Sequence, residues 1–121
     1  MHKSVLIADR DESARAHLAN LLEQMGYDVT LARNADDALA LARRNWPDVA
    51  ILDIGGAESD GLAASRELRE MADTRALLMI ALTGWGQPQY REMAMAAGFD
   101  VHLVKPVATD QLTLILSMVC E

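Results

Sequence analysis

Four polar residues stand at the ends of short apolar runs, and together they have the chemistry to hold a phosphoryl group. Asp9, Asp53, Thr83 and Lys105 each follow such a run, the clearest being residues 49–52 before Asp53. An aliphatic run that stops at a polar residue is typical of a buried parallel strand, which delivers that side chain to the carboxyl edge of the sheet. Open α/β sheets bind their ligands at this edge. Two carboxylates, a hydroxyl and an ammonium at one site suit a phosphoryl group on Asp53.

The elements that must position these residues alternate between strand and helix about five times. This alternation requires right-handed crossovers and a parallel sheet covered on both faces, hence an α/β fold. Glycine, proline and capping residues mark the helix ends. We predict one domain, residues 1–121, with strands at 5–8, 29–32, 49–52, 77–82 and 101–104, and helices from about Ser13 to Gly26, from an Asn34 cap to Trp46, from Gly61 to about Ala72, from Pro88 to near Gly98, and from a Thr109 cap to Val119.

Composition excludes several classes of function. The 121 residues, 51% of them hydrophobic, are enough for one folded core. The net charge is −7, from 11 Lys and Arg against 18 Asp and Glu, which argues against binding to nucleic acid or to an anionic membrane surface. The partners should therefore be proteins. The longest apolar run, residues 76–82, is far shorter than the roughly 20 residues that cross a bilayer, and we expect a cytoplasmic protein.

Four motifs, taken in order, resemble the receiver domain of response regulators in bacterial two-component signalling. They are VLIAD at 5–9, ILD at 51–53 with DG at 60–61, ALTG at 81–84, and HLVKP at 102–106. The resemblance covers nearly the whole chain. It implies a flavodoxin-like (βα)5 three-layer sandwich, whose central five-stranded parallel sheet has the order 2-1-3-4-5.

The resemblance also implies a role for each residue of the predicted site. Asp53 would be the phosphoacceptor, forming an acyl phosphate with a phosphoryl group from a sensor histidine kinase or a phosphotransfer protein. The Thr83 hydroxyl and the Gly84 N–H would bind phosphoryl oxygens, and Lys105 would pair with Asp53 or its phosphate. A cis peptide is expected before Pro106. Such a domain is a signalling switch that acts by protein–protein contact, not an enzyme.

Arg10 departs from the family pattern, in which Asp9 is followed by a second acid that binds magnesium. Magnesium would be left with Asp9, Asp53, the Gly55 carbonyl and water, and a guanidinium facing the ion would repel it. Asp11 is a candidate substitute ligand. Three alternatives stay open: a solvent-facing Arg10 beside a weakened magnesium site, an Arg10 that replaces the metal and holds the phosphoryl group, or a pseudo-receiver that is poorly or never phosphorylated and acts as a constitutive interaction module.

His102 occupies the position where these receivers usually carry an aromatic switch residue that turns inward as the threonine moves. A smaller, titratable imidazole predicts a blunted or pH-sensitive switch. Met95, Leu114 and Met118 are expected on outward faces and, with His102, predict a contact surface for a downstream protein, an output region of the same chain or a second copy in a homodimer. A phosphohydrolase with a strand-end Asp nucleophile is disfavoured, because it needs a second Asp where Gly55 stands.

Overall fold

Strands and helices alternate throughout the part of the chain that the structure describes. This structure is a computed structural model, and it describes residues 3–54, 60–73, 75–84 and 88–117. The predicted alternation is confirmed. In chain order the elements are β1 Ser4–Ala8, α1 Glu12–Gln24, β2 Asp28–Ala32, α2 Ala35–Arg44, β3 Val49–Asp53, α3 Asp60–Ala72, β4 Leu78–Thr83, α4 Pro88–Ala96, β5 Val101–Val104 and α5 Thr109–Ser117.

All of these strands run parallel in one sheet of order β2-β1-β3-β4-β5, as the resemblance implied. The order reverses at β1, which pairs with β2 on one side and with β3 on the other. Helix α1 leaves β1 toward one face of the sheet, whereas α3 leaves β3 toward the opposite face. A crevice therefore opens beyond the carboxyl ends of β1 and β3, at the point where such sheets bind ligands.

Each face of the sheet carries its own apolar core. Helices α2, α3 and α4 cover one face, and α1 and α5 cover the other. Because β3 is covered on both faces, its residues Val49, Ala50 and Ile51 are fully buried and form a continuous apolar run. Burying one large aliphatic side chain contributes roughly 1.5–3 kcal/mol. Within the described residues, no helix is both long and apolar enough to span a bilayer.

Helix starts follow the capping residues of the sequence, with one exception. Asn34 caps α2 as predicted, since its side chain accepts a hydrogen bond from the Asp37 N–H. Asp11, which had not been predicted as a cap, performs the same task for α1. Thr109 is not a cap but the first residue of α5, because the helical hydrogen bonds already begin at the Ala108 carbonyl.

Candidate functional site

The ends of β3, β4 and β5 bring the predicted side chains to one edge of the sheet. Asp53 ends β3 opposite Leu82 of β4, and Thr83 ends β4 opposite Val104 of β5. The Lys105 N–H donates to the Thr83 carbonyl at 2.7 Å, which holds the segment after β5 against β4. These positions follow from the strand pattern, because β3, β4 and β5 each stop where an apolar run meets a polar residue.

The Lys105 ammonium bridges the two carboxylates of the site. Its Nζ lies 2.8 Å from Asp9 Oδ2 and 2.9 Å from Asp53 Oδ2. Burial of the ammonium lowers the pKa of Lys105, but the hydrogen bonds and the charges of Asp53 and Asp9 outweigh burial and hold that pKa above its ordinary value of 10.5. Lys105 is therefore positively charged at neutral pH. The predicted proximity of these three residues is present in the structure.

The two carboxylates differ in exposure and in what holds them. Asp9 keeps 2% of its side chain exposed, and Asp53 keeps 20%. The second Asp9 oxygen, Oδ1, accepts the Asp11 N–H at 2.9 Å, while Arg15 donates to the Asp9 carbonyl at 2.8 Å. Asp9 is thus buried and held in place by these contacts, whereas Asp53 is the more exposed of the two carboxylates. The contribution of Arg15 was not predicted, because a lone arginine on a helix carries no signal of its contact.

Arg10, Asp11 and Gly55 were considered as neighbours of a metal ion, and the structure gives a different result for each. The Arg10 side chain is exposed. The exposed Asp11 side chain accepts the N–H groups of Ser13 and Ala14 at 3.0 and 3.3 Å, so one of its oxygens already serves the helix. Gly55 lies outside the described residues. Within the described part of the chain, no group of three or more His, Cys, Asp or Glu side chains is arranged to hold a metal ion.

Thr83 makes a contact that the sequence did not reveal. Its fully buried side chain places Oγ1 2.8 Å from His102 Nε2, a hydrogen bond between neighbouring strands. Burial, and secondarily the positive charge of Arg91 on α4, lower the pKa of His102 below its ordinary value of 6.5. The imidazole is therefore neutral at pH 7. Gly84, the next residue after β4, is exposed.

An apolar cavity of about 300 Å³ adjoins the site between α1 and the segment after β5. The cis peptide between Lys105 and Pro106, which the sequence resemblance predicted, lies in its wall. Sequence patterns did not predict this cavity, because its walls come from segments far apart in the chain. The lining residues are Asp9, Ala14, His17, Leu18, Leu21, Leu82, Lys105, Pro106 and Val107.

The predicted contact surface is partly described. Met95 on α4 is 45% exposed and Leu114 on α5 is 65% exposed, so both are outward as expected. His102 is of intermediate exposure, and Met118 lies outside the described residues. The use of these side chains as a contact surface stays a prediction.

The fold and the residues at its carboxyl edge define a signalling domain, and comparison with known proteins identifies its family. The chain belongs to the response regulator receiver domain family, whose model matches residues 5–117. Receiver domains are signalling modules of two-component systems, and they interact with kinases and output domains.

Two relatives and one solved structure illustrate the likeness. The chain is 35% identical over 108 residues to response regulator MprA of Mycobacterium sp. (strain KMS), covering 89% of this chain and 46% of that regulator. It is 34% identical over 116 residues to an uncharacterised 14.6 kDa protein of Leptolyngbya boryana, covering 96% of this chain and 88% of that protein. The structure of chemotaxis protein CheY4 of Vibrio cholerae matches with a TM-score of 0.88 and 27% identity, over 98% of this chain and 99% of that one. The chain thus spans about half the length of MprA.

Proposed function

We propose that residues 1–121 form one receiver domain that accepts a phosphoryl group on Asp53 from a sensor histidine kinase or a phosphotransfer protein. The observation that carries this proposal is the contrast between the two carboxylates at the sheet edge. Asp53 keeps 20% of its side chain exposed beside the Lys105 ammonium, whereas Asp9 is 2% exposed. The signal then passes to a partner protein, or to an output region of the same chain, by protein–protein contact.

The chemistry is transfer between two nucleophiles. An Asp53 carboxylate oxygen attacks the phosphorus of a phosphohistidine, a P–O bond forms, and the P–N bond breaks with its electron pair leaving on the imidazole nitrogen. The product is an acyl phosphate. Lys105, with Nζ 2.9 Å from Asp53 Oδ2, offsets negative charge as the phosphoryl group arrives. The Thr83 hydroxyl and the Gly84 N–H serve as donors to phosphoryl oxygens.

The described residues do not fit a magnesium site. Magnesium prefers near-octahedral oxygen ligands. At this edge the described side chains supply the carboxylates of Asp9 and Asp53, and Lys105 is hydrogen-bonded to both. An arginine, Arg10, stands where the family has a further acid. No step of the proposed transfer is therefore assigned to a metal.

The role of Arg10 is tested by titrating magnesium calorimetrically into the wild type and Arg10→Asp. We expect weak binding at millimolar magnesium in the wild type and clearly tighter binding in Arg10→Asp, which adds a carboxylate and removes a positive charge. Arg44→Asp makes the same charge change at an exposed position of α2, beyond the opposite edge of the sheet, and should not tighten binding. Tight binding by the wild type that Arg10→Asp leaves unchanged would contradict the assignment.

Phosphorylation itself is tested with phosphoramidate, whose P–N bond mimics phosphohistidine. The protein is incubated with this donor with and without magnesium, and its intact mass is measured before and after hydroxylamine, which cleaves acyl phosphates. We expect one phosphoryl group per chain, absent in Asp53→Asn and retained in Asp36→Asn, an exposed site on α2. Modification without magnesium supports an Arg10 that replaces the metal, whereas modification only with magnesium supports a weakened metal site.

A constitutive interaction module is the second candidate function. It is favoured by Arg10 and by the hydrogen bonds within the site. Lys105 bridges both carboxylates, and the Thr83 hydroxyl is hydrogen-bonded to His102. If no phosphoryl group is found on Asp53 with phosphoramidate, with or without magnesium, the first candidate is wrong and the second stands.

A further inference from the structure

The hydrogen bond between Thr83 and His102 joins the phosphoryl site to the edge strand of the sheet. His102 pairs with Ala81 and Thr83 pairs with Val104, so Thr83 and His102 are diagonal neighbours across β4 and β5. The Thr83 side chain is fully buried, and its Oγ1 lies 2.8 Å from His102 Nε2. This distance fits an O–H···N or an N–H···O hydrogen bond, depending on which atom carries the proton.

The Thr83 hydroxyl has one proton, and this limits what it can do at the same time. If the hydroxyl donates to His102 Nε2, its proton is not available to a phosphoryl oxygen, which can only accept. If His102 instead carries the proton on Nε2 and donates to Thr83, the hydroxyl proton no longer serves His102 and can be donated to the phosphoryl group. Thr83 can therefore bind phosphate as a donor, with its His102 bond intact, only when the imidazole is the donor.

We propose that His102 is a positioning residue that accepts a hydrogen bond from the Thr83 hydroxyl in the unphosphorylated protein and donates one to Thr83 when a phosphoryl group occupies Asp53. This inference rests on the proposed function, because it describes how that site is read out. In the first state the ring carries its proton on Nδ1, and in the second it carries it on Nε2. The half-buried ring exchanges the proton with water, so no other reactant is needed.

The surroundings of His102 support a neutral ring that changes tautomer and does not gain charge. The pKa of His102 is lowered mainly by burial, and secondarily by the positive charge of Arg91 on α4. Both disfavour the imidazolium form. The ring also lies on the sheet face that α4 covers, since Ala81, its pairing partner, belongs to the core under α2, α3 and α4. A change of tautomer exchanges the donor and acceptor of this ring beside α4.

The tautomer of His102 is read directly from the ¹⁵N spectrum of the histidine rings at about pH 8, above the ordinary His pKa of roughly 6.5. Without donor, we expect His102 Nε2 to be pyridine-type, that is, without a proton and accepting a bond. With excess phosphoramidate it should become pyrrole-type. His17, exposed on α1, is in the same spectrum and should not change tautomer, and His17→Asn assigns its signals.

Two substitutions at Thr83 separate this role from a structural one. Thr83→Val keeps the shape but removes the hydroxyl, so the His102 ring should lose its preference for the Nδ1–H form and no longer respond to phosphoramidate. Thr83→Ser restores the hydroxyl and should restore both properties. A His102 tautomer that is the same with and without a phosphoryl group on Asp53, or that Thr83→Val leaves unchanged, would overturn the proposal.

The failure of this inference is distinguishable from failure of the proposed function. If intact mass finds no phosphoryl group on Asp53, the proposed function is wrong and the exchange of tautomers falls with it. The spectra recorded without donor still decide whether Thr83 donates to His102, because they compare the wild type, Thr83→Val and Thr83→Ser. If Asp53 is modified but the His102 tautomer stays as before, the proposed function survives and only the positioning role is refuted.

Discussion

Replacing Lys105 by methionine should destabilise the protein by about 3 kcal/mol at pH 7. The ammonium lies 2.8 Å from Asp9 and 2.9 Å from Asp53, and each pair is worth about 6 kcal/mol of attraction at an effective dielectric near 20, before desolvation. Removing one partner of a buried ion pair costs about 3–5 kcal/mol, because the remaining charge is left uncompensated. The Lys105 side chain is 27% exposed, so the lower end of that range applies.

Unfolding curves in urea or by heating test this value against a matched control. The other lysine of the chain, Lys3, is exposed. Lys3→Met therefore removes the same charge but leaves the Asp9 and Asp53 carboxylates paired with Lys105. We expect a loss of roughly 10 °C in the unfolding midpoint for Lys105→Met and little change for Lys3→Met. Equal losses in the two variants would refute the reasoning.

The pH dependence provides a second check on the same residue. The pKa of Lys105 in the folded protein lies above 10.5, its value in the unfolded chain. Its contribution to stability is therefore complete below pH 10.5 and is lost as the pH rises through the higher folded pKa. The difference between the wild type and Lys105→Met should narrow above pH 10.5.

Two further experiments test the packing and the predicted contact surface. Gly98→Ala should cost about 3 kcal/mol in chemical unfolding, because its φ is +102° and a Cβ would lie 2.9 Å from Cγ and 3.0 Å from Cβ of Arg69. Gly26→Ala has a similar φ of +94° but no atom within 4 Å, so it should cost about 1 kcal/mol, and equal losses would contradict the role of the clash. Met95→Glu with Leu114→Glu should abolish self-association or partner binding in sedimentation and pull-down assays while the circular dichroism spectrum stays unchanged. If both assays are unaffected, the contact surface lies elsewhere.

The sequence predicted the layout of the site because that layout depends on strand ends. In a parallel sheet every strand presents its last residue at the same edge, so an apolar run that stops at Asp53 places that carboxylate without knowledge of side-chain contacts. The same rule placed Asp9, Thr83 and Lys105. Strand order was not predictable from the residues alone and came from the family resemblance.

Contacts that depend on strand register, or on which of several groups a polar side chain binds, were not predictable from the sequence. The bond between Thr83 and His102 requires β4 and β5 to pair in one particular register, which no pattern in either strand specifies. Asp11 was a candidate metal ligand from its position, but an aspartate just before a helix also satisfies unpaired N–H groups, and in the structure it does so. Both cases concern the choice of one polar partner among several that the sequence allows.

The proposed phosphoryl site has a charge balance to which Arg10 would contribute. The described site holds the carboxylates of Asp9 and Asp53 and the Lys105 ammonium, a net charge of about −1, and an acyl phosphate of roughly −2 in place of the Asp53 carboxylate makes it about −2. A guanidinium about 6 Å from a phosphoryl group of charge about −2 would attract it by roughly 6 kcal/mol at an effective dielectric near 20, and would repel a divalent ion at that distance by about as much. The same positive charge thus favours the phosphoryl group and opposes magnesium. If Arg10 replaces the metal, Arg10→Asp should therefore convert modification by phosphoramidate from a metal-independent into a metal-dependent reaction. Unchanged metal dependence in this variant would show that Arg10 affects neither the phosphoryl group nor magnesium.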